Sequence, residues 1–215
     1  MLNKRGKFIT FEGGDGCGKS TQIKLVASWL QKSGCDFLLM REPGGTIIGE
    51  KIREILLDPD NDEMTDMTEM LLYAAARAQL AREVIEPSIA AGKLVICDRW
   101  VDSSMVYQGG ARGLGEVVRT VNTIAAGDLF SPDATVFLDL DPEEALKRAK
   151  GENGGDRIEA LGIEYQKKVR QAYLELAAIE KSRIHVVDAS GSPEEVHIRV
   201  ISALEAILAE DESDV

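Results

Sequence analysis

Eight residues near the amino terminus have the types and spacing to hold a row of phosphates: Gly13, Gly14, Asp15, Gly16, Cys17, Gly18, Lys19 and Ser20. They match G-x-x-x-x-G-K-[ST], a loop whose successive backbone N–H groups form a concavity for anionic oxygens. At these positions Lys19 reaches the outer phosphates and the Ser20 hydroxyl is a magnesium ligand; Thr21 follows directly. A dinucleotide fingerprint fits worse, because no G-x-G-x-x-G register can be drawn and a Lys-Ser pair follows the last glycine. The stretch reads as a nucleoside triphosphate site.

Further polar residues stand where a partner ligand would need them. Asp98-Arg99-Trp100 follows the apolar Val95-Ile96-Cys97. An acid leaving a buried strand beside a phosphate loop can hold magnesium or its waters, or it can cap the next helix. Arg99 can neutralise phosphoryl oxygens. Tyr73 and Arg77 lie four apart on one helical face, a spacing that serves packing as readily as binding. Ser103-Ser104-Met105-Val106-Tyr107-Gln108-Gly109-Gly110 adds hydrogen-bonding groups in a short helix or turn. Of two alternating acids, Asp141 reads as a helix cap ahead of Pro142 and Asp139 is left open. Basic residues flank a Gly/Asn-rich break at 147–158, which suits a mobile lid carrying Arg148 and Arg157 over transferring phosphates, or a plain flexible loop. Ala189-Ser190-Gly191-Ser192-Pro193 follows the last strand, where it can border the adenine.

The elements that must place these residues alternate. Strand-like runs recur at Lys7–Glu12, Asp36–Arg41, Lys93–Asp98, Ala134–Asp139 and Arg183–Asp188, with helical patterns between them. The alternation predicts a five-stranded parallel sheet flanked by helices, and the nearly unbroken apolar runs predict strands buried on both faces. Helices are expected at Lys19–Gln31, Ile47–Leu57, Asp66–Glu86, Gly115–Gly127, Gly162–Glu180 and Pro193–Ala209, with Pro87 stopping or kinking the third. An acidic loop, Asp58–Thr65, precedes that helix. No repeat or linker divides the chain, so residues 1–215 are expected to form one domain with a frayed acidic tail at 210–215.

The net charge of −12 argues against a nucleic-acid partner and requires arginines to be concentrated around any nucleotide site. Cys17, Cys35 and Cys97 are odd in number and lack metal-ligand spacing, as expected of reduced thiols in a cytosol, with Cys17 a small filler in the loop. No apolar run approaches membrane-spanning length, so no membrane partner is expected.

Over nearly its whole length the chain resembles the bacterial thymidylate kinases. The resemblance is carried by Phe11-Glu12-Gly13 with Gly18-Lys19-Ser20-Thr21-Gln22, by Arg41-Glu42-Pro43-Gly44-Gly45-Thr46, Asp98-Arg99-Trp100 and Ser103-Ser104, and by Tyr107-Gln108-Gly109 and Asp156-Arg157-Ile158-Glu159. Arg-Glu-Pro-Gly-Gly-Thr together with Ser-Ser-x-x-Tyr-Gln-Gly is the selective part. It implies a P-loop NTPase of the nucleoside monophosphate kinase kind with a lid. The implied reaction moves the ATP γ-phosphoryl group to dTMP with Mg2+, in a cytoplasmic homodimer that supplies dTTP biosynthesis. By motif position Arg53, Arg77 and Arg99 would surround the dTMP phosphate and base, and Tyr73 would stack on thymine. Ser104 and Gln108 match polar contacts near the base, and Tyr107 matches a ring that crowds a ribose 2′-hydroxyl. Asp15 and Glu42 fall near the sugar 3′-hydroxyl and the metal region, while Ser20 and Asp98 would hold the metal. The implied catalytic set is Lys19, Asp98, Arg99, Arg148 and Arg157, with Arg148, Lys150 or Arg157 as the lid's positive charge. Trp100 departs from the family's usual Tyr, Phe or His and is expected to pack. No histidine base is needed, because the acceptor is already an anion; His185 and His197 fall in the scaffold. The rivals are another monophosphate kinase and a nucleotide switch, which would usually carry an Asn-Lys-x-Asp stretch that this chain lacks.

Overall fold

The computed structural model describes residues 5–149 and 161–209. Its strands are β1 (Phe8–Glu12), β2 (Phe37–Arg41), β3 (Leu94–Asp98), β4 (Ala134–Asp139) and β5 (Ile184–Asp188). Each is an apolar run that closes on a charged residue, so every strand delivers an ionic side chain to the same edge. All pairings are parallel, in the order β2-β3-β1-β4-β5. Phe11 lies opposite Asp98, and Arg41 opposite the same residue from the other side. The chain moves from β1 past β3 to β2, then from β3 back across β1 to β4. The crevice at the carboxyl ends of β1 and β3 is therefore a topological switch point, where open α/β sheets take their ligands.

The helices are α1 (Lys19–Lys32), α2 (Ile47–Leu57), α3 (Asp66–Leu80), α4 (Glu86–Ala90), α5 (Val101–Ser104), α6 (Glu116–Ala126), α7 (Pro142–Ala149), α8 (Ile163–Ile179) and α9 (Pro193–Ala209). Gln22, Ile23, Val26 and Leu30 recur at helical spacing and form the buried stripe of α1. With β1, β3 and β4, Ile23, Val26 and Leu30 make one core with Val196, Val200, Leu204 and Ile207 of α9. A second core joins Phe8, Val95 and Trp100 to Leu80 and Ile85, and a third sets Tyr107, Phe137 and Tyr173 against Val169 and Ala177 of α8. Thr46 caps α2 by accepting the Gly49 N–H at 2.9 Å, and Asp141 accepts the Glu143 N–H at 2.9 Å at the start of α7. The cap read from the sequence for Asp141 is in place.

Of the two outcomes expected at Pro87, a stop or a kink, the helix does not stop there. The chain leaves α3 through a wider π-helical turn, Ala81–Ile85, and continues as α4 to Ala90. The Glu86 N–H reaches back five residues to the Ala81 carbonyl. Pro87 then falls in the opening turn of α4, where its missing N–H costs little. A second π-helical turn, Met105–Ala111, extends α5 through the Ser-Ser-x-x-Tyr-Gln-Gly stretch. The lid at 147–158 lies mostly outside the described residues, with Arg157 and Lys150, and so does the tail at 210–215.

Leu204 is 1% exposed in the core that α9 shares with α1 and is remote from the carboxyl edge. Leu204→Ala should lower the unfolding free energy by about 2–5 kcal/mol in urea titration and leave substrate KM values unchanged.

Candidate active site

One cavity of about 810 Å3 opens along the carboxyl edge of the sheet. On the β5 side it is lined by the phosphate loop, the first turn of α1, Arg148, Gly191, Pro193 and Val196. On the β2 side it is lined by Glu42, Arg53, Tyr73, Arg77, Ser104, Tyr107 and Gln108. Asp15, Asp98 and Arg99 also face it, so the candidate site residues that the structure describes are brought together almost completely. Five arginines line it, 41, 53, 77, 99 and 148, the concentration of positive charge that an acidic chain requires.

The phosphate loop is shaped by glycine. Gly18 caps α1 with φ 94°, a left-handed conformation, and Gly16 at φ 77° lies so close to α7 that a Cβ would sit 2.4 Å from the Ala145 carbonyl oxygen. Cys17 is buried in the core beneath, as a filler should be. Lys19 Nζ donates to the carbonyls of Gly13 (2.9 Å) and Gly14 (3.0 Å), which holds the ammonium against the loop. Ser20 and Thr21 are exposed in the first turn of α1. Asp98, at the tip of β3, is half-buried, and among the described residues no hydrogen bond or ion pair engages its carboxylate.

Arg99 is the only described non-glycine residue with positive φ, at 70°. The strain is held by the Arg99 N–H, which donates to the Phe11 carbonyl at 2.9 Å, and by a buried acid that the sequence reading gave no role, Glu12. Glu12 Oε1 accepts the N–H groups of Trp100 (2.7 Å) and Ser103 (3.3 Å). Its Oε2 accepts the hydroxyls of Ser103 (2.6 Å) and Tyr173 (2.7 Å). The available signal was an acid closing a strand whose other residues are apolar. Burial and the nearby Asp102 charge raise the Glu12 pKa against the pull of Arg99 and the two hydroxyls. Arg99 then reaches Asp15 at 2.5 Å and the Gly13 carbonyl at 2.9 Å, with its guanidinium 5.2 Å from the Tyr107 ring centre. Burial works to raise the Asp15 carboxyl, but Arg99 and Lys19 outweigh it and the group sits below the usual carboxylate range. Trp100 is fully buried, edge-on to Phe8, with Nε1 donating to the Leu129 carbonyl, so its departure from the family pattern is absorbed by packing.

On the β2 side Arg77 is 1% exposed. Its Nε donates to Glu42 Oε2 at 2.9 Å, its Nη2 pairs with the same oxygen, and its Nη1 donates to Ser104 Oγ at 2.9 Å and to Asn122. Glu42 Oε1 is buried without a partner among the described residues. Burial pushes the Glu42 pKa up to about 7 even against the attraction of Arg77. Arg53 Nη1 donates to the Pro43 carbonyl at 2.9 Å. The Tyr107 hydroxyl is also buried with no hydrogen bond among the described residues. Arg148 donates to the carbonyls of Ala189 (3.0 Å) and Gly191 (3.2 Å), which ties α7 to the segment expected beside the adenine. Asp139, left open in the sequence, is taken by Arg170 through contacts of 2.7 and 3.0 Å.

A phosphate loop on this sheet, facing an arginine-lined pocket across one cavity, defines a P-loop nucleotide phosphotransferase. Comparison with known proteins narrows the class. The family model described as Thymidylate kinase matches residues 11–200. The chain is 53% identical over 205 residues to a thymidylate kinase of Caldanaerobacter subterraneus subsp. tengcongensis, covering 95% of this chain and 97% of that one. It is 50% identical over 202 residues to that of Symbiobacterium thermophilum, covering 94% of each. To the enzyme of Thermoanaerobacter pseudethanolicus it is 49% identical over 205 residues, covering 95% of this chain and all of the relative. The chain belongs to the thymidylate kinase family.

The Glu42 shift has a measurable sign. Its folded-state pKa, about 7, lies above the unfolded value near 4.5, so the unfolded chain releases this proton first as pH rises. Stability from this group is full below about pH 4.5 and is lost as pH climbs through 7. Urea titrations from pH 4.5 to 8 should show wild type losing about 3 kcal/mol relative to Glu42→Gln, with no further change above that window. A flat difference would assign the ionised form to Glu42 throughout.

Proposed function

We propose that the chain transfers the γ-phosphoryl group of ATP to dTMP, giving dTDP and ADP for dTTP biosynthesis, with its residues dividing the work as follows. ATP lies along Gly13–Thr21 with its adenine toward Gly191, Pro193 and Val196. Phosphate oxygens draw Lys19 off the loop carbonyls and meet the N–H groups at the start of α1. dTMP lies on the β2 side, with Tyr73 against thymine, Arg77, Ser104 and Gln108 on the polar edge of the base, and Arg53 with Arg99 toward its phosphate. Asp15 and Glu42 border the sugar, and Tyr107 closes the position of a ribose 2′-hydroxyl. A dTMP phosphate oxygen forms the new bond to Pγ as the bond from Pγ to the ADP oxygen breaks. Such a transfer needs alignment and cancellation of charge more than covalent help. Arg148 and Arg157 are the candidates for positive charge from the lid.

The Ser20 hydroxyl and the Asp98 carboxylate suit magnesium, since both are hard oxygen donors on the same cavity. Among the described residues no group of three His, Cys, Asp or Glu side chains forms a cation cage. Bound there, Mg2+ would neutralise charge on the β- and γ-phosphates.

One observation carries this reading: one cavity joins the phosphate loop to a region lined by Tyr73, Tyr107, Arg53, Arg77 and Arg99. A coupled ADP-release assay over nucleoside monophosphates tests it, with dTMP expected well above dCMP and UMP. A nucleotide switch would release ADP at the same rate with or without dTMP. Arg77→Ala should lower kcat/KM for dTMP by about a hundredfold or more while the KM for ATP changes less than about threefold. Equal loss on both substrates would overturn the assignment.

The assembly proposed is a cytoplasmic two-fold dimer. Among the described residues no helix is long and apolar enough to cross a membrane. Ile47, Ile48 and Ile55 of α2, Leu71 of α3 and Ile124 of α6 are exposed, and α3 packs against both other helices. A two-fold pairing would cover these side chains. Light scattering at micromolar concentration should return twice the 23.4 kDa chain mass. A monomer mass would remove the dimer.

A further inference from the structure

Gln108 faces the cavity from the π-helical turn, one helical turn beyond Ser104. A glutamine amide presents an acceptor on one side and two donors on the other, and without a fixed neighbour it can turn either way. Here the neighbour is fixed. Gln108 Nε2 donates to Glu69 Oε1 at 2.8 Å, and Glu69 has no exposure to solvent. The other Glu69 oxygen accepts from Arg112 Nη2 at 2.9 Å. Arg112 is in turn held by Asp66 at 3.3 Å and lies over the Tyr165 ring, 5.4 Å from its centre. A carboxylate in an ion pair has only acceptors to offer, so the Gln108 amide must turn its NH2 toward Glu69. No described residue donates to Gln108 Oε1, which is left as the atom that meets a ligand.

We propose that Glu69 is a positioning residue for base discrimination: by fixing the Gln108 amide it leaves Oε1 facing the cavity to accept the N3–H of thymine. The inference rests on the dTMP reading given above and adds a residue that does not itself touch substrate. Its neighbours complete the logic. Ser104 Oγ already accepts from Arg77, so its own hydrogen remains to be donated, and Arg77 is a donor throughout. Two donors and one acceptor suit an imide edge, which has two carbonyls and one N–H. Cytosine carries an unprotonated N3 and an amino group in place of one carbonyl. It would leave Oε1 facing a lone pair and a donor facing a donor. Sites that pair a polar edge reject the mismatched analogue far more strongly than sites that sort by size.

Glu69→Gln tests the arrangement, because the new amide can accept from or donate to Gln108 and so releases its orientation while keeping an oxygen for Arg112. The ratio of kcat/KM for dTMP to that for dCMP should fall at least tenfold, with the KM for ATP within about twofold of wild type. In a Gln108→Leu background the same change should leave the ratio where Gln108→Leu alone puts it. A ratio unchanged by Glu69→Gln, or parallel loss on both nucleotides, would overturn the proposal, because loosened packing harms both alike. Wild type preferring another nucleotide would instead overturn the functional reading, so the two failures are separable. Should Glu69→Gln not fold, wild-type protein with labelled glutamine side chains decides. With dTMP bound, a nuclear Overhauser contact from the Gln108 NH2 to the Glu69 methylenes is expected, and its absence sinks the idea.

Discussion

The site depends on one carboxylate buried beneath it. Glu12 ends β1 with no exposure, and its two oxygens receive four donors from the segment that follows β3 and from α8. A carboxylate removed from water is costly unless its lone pairs are met, and here they are. The arrangement also fixes a strained residue. Arg99 has a left-handed backbone that L-residues adopt at a cost of about 1–3 kcal/mol, and the Trp100 N–H bond to Glu12 holds the next residue in place. The same strand therefore launches the phosphate loop and pins the turn that carries Arg99 toward it. Two halves of a phosphoryl-transfer site are thereby set at one spacing.

Charge is handled locally rather than over the whole surface. The chain carries 37 acids against 25 lysines and arginines, yet five arginines line one cavity. Several have a carboxyl partner in place: Arg77 has Glu42, Arg99 has Asp15 and Arg41 has Glu50. Packed together without such partners, these cations would repel one another through a medium that screens poorly. These acids thus let the positive groups coexist before any phosphate arrives.

How much of this was legible in the sequence follows from the range of each interaction. The strands fell within one residue of their expected bounds because each is an apolar run closed by a charged residue. The phosphate loop was legible because its chemistry is local, a glycine pattern opening a helix. The π-helical turns were not. One extra residue in a turn does not disturb a 3.6-residue apolar pattern enough to be seen, so Pro87 could be read only as a stop or a kink. The network around Arg77 was illegible for another reason. Its partners Glu42, Ser104 and Asn122 lie 35, 27 and 45 residues away, after β2, on α5 and on α6, and meet only in the folded chain. Glu69, with partners 39 and 43 residues distant, drew no attention at all. Side chains that position other side chains leave little local signature.

The cations of the cavity differ in what holds them, and the difference sorts their work. Arg77 spends its charge on Glu42, and both groups are almost wholly buried, so separating them would strand a charge at high cost. It suits the neutral edge of a base, which asks for a hydrogen bond and no net charge. Arg99 also has a carboxylate, but Asp15 is a quarter exposed at the mouth of the cavity and water can take over when a phosphate competes. Lys19 is different again, because the loop carbonyls that hold it are neutral acceptors. Moving it onto a phosphate breaks no ion pair. The proposed assignment therefore has a physical order: the least committed cation serves the triphosphate, the exchangeable one the joint between the nucleotides, and the locked one the base.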